Sequence, residues 1–255
     1  MNKEKKVIAI KGRFIGGEKP QICVPLVGNT KEQVMDEAQA ILTAKPDLVE
    51  WRVDFFDDVE DTRKVLELLA NIRNLLSNYP IIFTCRTIVE GGYKKIDDTL
   101  RLNLIKEIIK SKQVEIVDIE LIYGEELIKE IIGLAKENNV YVIVSNHDFK
   151  STPSKETIVK RLLSAESFGA DFPKIAVMPN SLEDVLTLLA ATFEVSEKAQ
   201  TPIITMSMAS KGILTRAAGS LFGSAITFAS GKASSAPGQI PISELRTLIE
   251  ILHKY

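Results

Sequence analysis

Two residues in this chain have the chemistry of catalysts and stand where apolar sequence is expected. Lys174 lies in "GADFPKIAVM" (169–178), at the head of an apolar run that ends at Met178. An ammonium resists leaving water, and buried lysine is rare unless paired or neutralised. His147 closes a second apolar run, "VYVIVSNH" (140–147). A neutral lysine amine attacks a carbonyl carbon and forms a Schiff base. A nearby histidine can then move the proton α to the iminium carbon. Together they point to imine chemistry on a carbonyl compound. Lys174 alone also fits a strand-edge lysine that snorkels to solvent, and a lone histidine is more often structural. His253, the other histidine, falls near the end of the last helical pattern and reads as a surface residue.

Other polar residues fall in or just after apolar runs. They are Glu50, Arg52 and Asp54; Arg86, with Glu90 beyond it; Asp118 and Glu120; and Ser145, Asn146 and Asp148. Later come Thr205, Ser207 and Arg216, then Ser234, Ser235 and Gln239 in "GKASSAPGQI". Arginines and acids converging from several strands suggest an anionic substrate held by charge-assisted hydrogen bonds. Arg52, Arg86 and Arg216, with apolar walls, are expected to lower the Lys174 pKa. Glu50, Asp118 and Glu120 could join His147 around a metal ion, but lysine and arginine in the same mouth repel a cation. No metal or other cofactor is expected. Met206 reads as barrel filling, and Met208, on the same face of its strand, as an apolar contact for substrate. Gln239 with a serine hydroxyl suits a carboxylate or diol. No Gly-rich loop precedes a helix in the way phosphate cradles require.

These residues need elements to position them. Short β-rich runs alternate with helical patterns: 22–27, 48–54, 81–87, 115–121, 140–147, 174–178, 202–208 and 224–230. Each is nearly continuous apolar sequence, as for strands covered on both faces. Between them, "TRKVLELLANIRNLLS" and similar segments repeat Leu and Val at helical spacing. "NSLED" and "STPSKET" carry helix caps. About eight β–α units favour a (β/α)8 TIM barrel of the α/β class over a doubly wound sheet of about five or six strands. The opening "KKVIAIKGRFIGGEKP" reads as a β-hairpin closing the bottom of the barrel. A single domain over 1–255 is expected. Lys174 then poses a problem, because barrel chemistry sits at strand C-terminal ends. Either its amine reaches upward, or its strand begins earlier.

The bulk composition sets limits. A net charge of −2 argues against a nucleic-acid binder working through bulk charge. No apolar run of about 18 residues could span a membrane. The charged start "MNKEKK" lacks a signal core. Cys23 and Cys85 fall inside strand candidates and suggest reduced, buried thiols. A soluble, cytoplasmic protein is expected.

In order, "LVEWRVDFF", "FTCRTIVEGG", "VIVSNHDFKSTP", "GADFPKIAVMP", "TPIITMSMASKG" and "FGSAITFASGKASSAPGQI" resemble the type I 3-dehydroquinate dehydratase family. The resemblance covers nearly the whole chain. It implies a TIM barrel, a hydro-lyase acting on 3-dehydroquinate in the shikimate pathway, no metal or dissociable cofactor, and a homodimer. Residue by residue, Lys174 matches the Schiff-base lysine, His147 the general base, and Glu90 the carboxylate that orients it. Arg216, Ser235 and Gln239 match groups that grip substrate. Glu50, Arg52 and Arg86 match further substrate contacts, and Met208 the apolar one. Pro25 and Lys211 depart from the pattern, and Pro25 removes one possible polar contact. A class I aldolase would share Lys174 and the fold; a non-catalytic carboxylate-binding barrel would tolerate its loss.

Overall fold

The computed structural model describes residues 7–254. Residues 1–6 and 255, part of the expected domain, lie outside the described residues. Eight parallel strands run β3 (Gln21–Leu26), β4 (Leu48–Arg52), β5 (Ile81–Thr84), β6 (Ile116–Glu120), β7 (Tyr141–Asp148), β8 (Phe172–Val177), β9 (Ile204–Ser207) and β10 (Ile226–Phe228). Each from β3 to β8 pairs with the next in sequence, and β10 returns to pair with β3. The ring closes between β9 and β10 through the parallel bridge Ile203–Ser224 and an Ala225 N–H to Ile203 carbonyl bond of 2.8 Å. The expected (β/α)8 barrel is the observed fold.

Helices follow the strands: α1 (Lys31–Ala44), α2 (Thr62–Leu75), α3 (Asp98–Ser111), α4 (Gly124–Glu137), α5 (Lys155–Ser167), α6 (Leu182–Lys198), α7 (Ile213–Ala218) and α8 (Ile242–Leu252). Their starts are written in sequence. Thr30 with Gln33 and Ser181 with Asp184 form capping boxes, and Asp61, Asp97 and Ser154 accept from first-turn N–H groups. Apolar stripes on the helices cover Trp51, Phe83, Val117 and Val144 on the outer strand faces. No helix among the described residues is long and apolar enough to cross a membrane.

The inner face is layered. Its floor is Cys23, Leu48, Ile82, Ile116, Ile143, Phe172, Ile204 and Ile226. Beneath it lies an antiparallel hairpin, β1 (Ile8–Ile10) and β2 (Arg13–Ile15), whose Ile8, Ile10 and Ile15 pack into that floor. Its two-residue turn, Lys11–Gly12, has φ of 46° and 76°, the paired positive values a tight hairpin needs. Two residues above the floor the inward positions turn polar, as at Glu50, Asp118, Ser145 and Lys174.

Strand edges differ from the sequence reading in one consequential way. β8 starts at Phe172, two residues before Lys174. Proline lacks a ladder donor and marks strand boundaries, yet Pro173 pairs in register with Val144 near the start of the strand. Lys174 is therefore mid-strand, with its own strand's floor residue, Phe172, below it. Elsewhere strands end early: 53–55 and 88–90 turn as 3-10 helix above β4 and β5.

The hairpin should carry stability without touching the barrel mouth. Ile15→Ala is expected to cost about 2–5 kcal/mol in denaturant unfolding. Phe14→Ala, at a side chain 60% exposed, should stay within about 0.5 kcal/mol. Equal effects would mean that the hairpin does not plug the barrel.

Candidate active site

Lys174 is 5% exposed and faces the barrel interior. Its Nζ lies 3.2 Å from Asp118 Oδ2, 3.8 Å from Glu50 Oε1 and 4.7 Å from the centroid of the Phe228 ring. The snorkelling alternative fails, because the amine points inward. Its expected surroundings also need correction. Carboxylates, not arginines, stand closest, and Arg86 reaches the same Asp118 oxygen at 2.9 Å. Asp118 is tied further by the Ser145 hydroxyl, which donates to Oδ1 at 2.6 Å. Burial alone would raise the Asp118 pKa, but Arg86 and Lys174 outweigh it and hold it at about 2. Thr84 donates to Glu50 Oε1 at 2.8 Å.

The next level up holds His147, Arg86, Arg52 and Glu120. Arg86 bonds Glu120 at 3.0 Å and the Ser145 hydroxyl at 2.8 Å. Against the cost of burial, Asp118, Glu120 and Glu90 keep its guanidinium protonated. Arg52 makes a two-pronged pair with Asp54, both bonds 2.8 Å. Asp54 also accepts the Tyr93 N–H at 3.0 Å and so fixes the loop above β5.

His147 meets Glu90 twice. Its backbone N–H donates to Glu90 Oε2 at 2.9 Å, and Nδ1 lies 2.9 Å from the same oxygen. Burial, then Arg86, Lys174 and Arg52, push the histidine pKa well below its usual value. Burial also pushes the Glu90 carboxyl up to about 8, despite Arg86. Both directions disfavour an ion pair. Oε2 already accepts the backbone N–H, so an ionised Glu90 would take Nδ1–H as its second donor and leave Nε2 as the free base. Asn146 supplies Glu90 Oε1 with a third donor, at 3.1 Å.

Arg216 rises from α7 and is 2% exposed. Its guanidinium reaches the carbonyls of Pro237 at 3.1 Å and Phe228 at 3.4 Å, and the Met206 sulfur at 3.8 Å, with no carboxylate among these partners. Its Nε has no partner, and burial lowers its pKa to about 10. Beside it, the Ser235 N–H donates to Gln239 Oε1 at 2.8 Å, and Gln239 Nε2 donates to the Ser235 hydroxyl at 3.2 Å. The loop carrying both packs onto Ala209 so closely that a Cβ on Gly238, where φ is +80°, would stand 2.3 Å from the Ala209 carbonyl oxygen.

All ten site residues expected from sequence line one cleft: Lys174, His147, Glu90, Glu50, Arg52, Arg86, Met208, Arg216, Ser235 and Gln239. Met206, expected to be filling, lines it as well, while Pro25 and Lys211 do not. Sequence reasoning left out Phe149 and Phe228, two aromatic walls, and Asp118 as the nearest partner of Lys174. Asp118 had a signal, an acid two residues before Glu120 in an apolar strand. Phe228 had none, since a phenylalanine in a strand reads as core. Among the described residues no group of three or more His, Cys, Asp or Glu side chains is placed to hold a metal ion.

A mouth of this kind combines an inward lysine, a histidine whose burial disfavours its charged form, and a guanidinium with no carboxylate among its partners. It suits imine chemistry on a small carbonyl acid. The comparisons point the same way. The family model for Type I 3-dehydroquinase matches residues 22–255. The 3-dehydroquinate dehydratase of Bacillus subtilis is 47% identical over 97% of this chain and 98% of its own length. A type I 3-dehydroquinate dehydratase structure from Clostridium difficile, with covalently modified comenic acid, superposes with a TM-score of 0.95 at 45% identity, covering 98% and 99% of the two chains. That of the 3-dehydroquinate dehydratase from Geobacillus kaustophilus gives 0.97 at 44%, covering 100% and 99%. With its barrel, its cleft and nearly its whole length matched, the chain belongs to the type I 3-dehydroquinase family.

Proposed function

We propose that this chain is a hydro-lyase that removes water from 3-dehydroquinate to give 3-dehydroshikimate, with Lys174 forming the imine and His147 moving the proton. The observation that carries this reading is that a lysine buried inside the barrel mouth shares one cleft with a histidine held against the Glu90 carboxyl. Lys174 Nζ attacks the C3 carbonyl, and loss of water leaves an iminium. Its positive charge lies where the ammonium lay, so Asp118 and Glu50 stabilise both. The iminium acidifies C2, because the electrons left by the proton pass to nitrogen. His147 Nε2 takes that proton, and Glu90 steadies the imidazolium through Nδ1–H. The enamine then expels the C1 hydroxyl, which takes the proton from His147 and leaves as water. Hydrolysis of the conjugated imine frees the product and Lys174.

Arg216 is the group best suited to the substrate carboxylate, since its buried charge has no acidic partner among the described residues. Ser235 and Gln239 complete the grip beside it, and Arg52, Arg86 and Met208 border the ring. A class I aldolase would share Lys174, but the Arg216–Ser235–Gln239 rim and the His147–Glu90 pair favour dehydration of a hydroxy-keto acid. The reaction places the protein in the shikimate pathway, upstream of chorismate and the aromatic amino acids. A cytoplasmic location and a homodimer accompany this reading as further proposals, resting on the family resemblance.

Three outcomes follow from these roles. Borohydride added with 3-dehydroquinate should fix a covalent increment on Lys174, read by peptide mass, and Lys174→Ala should show neither increment nor turnover. An unmodified Lys174 would sink the imine step. Because His147 acts as a base only when neutral and burial holds its pKa well below its usual value, its imidazole should still be neutral at pH 6.5 in an NMR titration, and an acid limb in the rate above that pH should follow Glu90, whose carboxyl is pushed up to about 8. A titration that places the His147 imidazole at or above 6.5 would contradict the neutral imidazole. Arg216→Gln should raise KM about 100-fold, in keeping with the loss of a desolvated charge pair, while borohydride trapping persists at high substrate. An unchanged KM would remove Arg216 from carboxylate binding.

A further inference from the structure

A chain of hydrogen bonds leaves the cleft through the barrel wall. Strand alternation sends Ser145 and His147 toward the axis and Asn146, between them, toward the helical layer. There Arg161 of α5, a half-buried residue, donates from Nη1 to Asn146 Oδ1 at 2.9 Å. Asn146 Nδ2 donates to Glu90 Oε1 at 3.1 Å, and Glu90 Oε2 takes both the N–H and Nδ1 of His147 at 2.9 Å. Arg161 does not line the cleft and has no place in the chemistry described so far.

An asparagine amide has two faces, and either could turn toward Glu90. Guanidinium only donates. The atom facing Arg161 must therefore be the amide oxygen, and the NH2 group is left to face Glu90. We infer that Arg161 is a positioning residue: through Asn146 it holds the Glu90 carboxylate as the acceptor for His147 Nδ1–H, which keeps Nε2 bare for the substrate proton. Without Arg161 the amide can turn over and set oxygen against oxygen. Glu90 then relieves the clash by taking a proton, and His147 loses the acceptor that fixes its tautomer.

The surroundings make this control consequential. Glu90 is faced by Arg86 at the end of β5, Asp118 and Glu120 of β6, and His147 of β7, and His147 also feels Lys174 and Arg52. The acids and burial favour a protonated Glu90, and Arg86 opposes them. The Asn146 donor adds to the Arg86 side, and its orientation is what Arg161 sets.

This inference rests on the His147–Glu90 pair being the acid–base machinery. Its test compares Arg161→Met, which keeps length without a donor, with Arg161→Lys and Arg161→Gln, which can still donate to Asn146. Steady-state kinetics on 3-dehydroquinate over pH 6–9 is the readout, with thermal unfolding as the check on folding. Arg161→Met is expected to lose about tenfold in kcat near neutral pH, the usual scale for a hydrogen bond to a charged group, with KM within twofold. The deficit should narrow as pH rises, because a Glu90 that has lost its donor needs higher pH to ionise. Arg161→Lys and Arg161→Gln should recover most of the rate. A kcat within twofold of wild type in Arg161→Met would overturn the inference. So would a loss that is uniform across pH and not recovered by the donor-bearing variants. If Arg161→Met does not fold, full activity in a folded Arg161→Gln at every pH supports the role of the donor, and a loss there equal to that of Arg161→Ala overturns it. Failure of Lys174 trapping would instead remove the proposed function itself, so the two failures can be told apart.

Discussion

One carboxylate oxygen organises this barrel. Asp118 Oδ2 is shared by Lys174 and Arg86, at 3.2 and 2.9 Å, in a place where all three side chains are buried. A charge so placed costs several kcal/mol unless a partner of opposite sign lies within reach. The barrel therefore supplies both signs over two adjacent levels, Glu50, Asp118 and Glu120 against Lys174 and Arg86. The hydroxyls of Thr84 and Ser145 satisfy remaining carboxylate lone pairs. Removing one member would strand the rest, which is why the cluster behaves as a unit.

The apolar floor makes that cluster possible. Water is excluded from below by the Phe172 layer and the hairpin isoleucines, so the charges interact in a medium of low polarisability, where each contact is stronger than in water. The floor also sets height. Each strand rises about 3.3 Å per residue, so Lys174, two residues above Phe172, lies below His147 and the strand ends. Its four-carbon stem carries the amine the rest of the way. Lysine is the cationic side chain with both that reach and a nitrogen able to become a nucleophile.

The rim differs from the interior. Below, cations and acids are paired; at the edge, Arg216 has carbonyls and a sulfur for company and no acid. A buried guanidinium without a counter-charge is poised for an anion, and the neighbouring Ser235 and Gln239 already bond one another across a loop turn. The mouth thus separates two tasks. Under the proposed reaction, pre-neutralised charge would stabilise a cation formed on Lys174, and unneutralised charge would draw in a carboxylate.

The sequence by itself determined the alternation of apolar strands and capped helices, the hairpin, and the identity of every polar residue lining the cleft. These are local properties: period, cap chemistry and residue type survive without a fold. Even the motifs that resemble the family are short local strings. Tertiary structure decided three other matters. It placed Lys174 in mid-strand, because pairing with β7 carries the ladder back through Pro173, where a local rule ends it. It gave that lysine acids rather than arginines as nearest partners, because Asp118 and Glu50 reach it from strands more than fifty residues away in sequence. And it linked Arg161, in an outer helix with no motif, through Asn146 to Glu90 and so to His147. Each depends on distances between elements far apart in the chain, and such distances exist only once the barrel has closed.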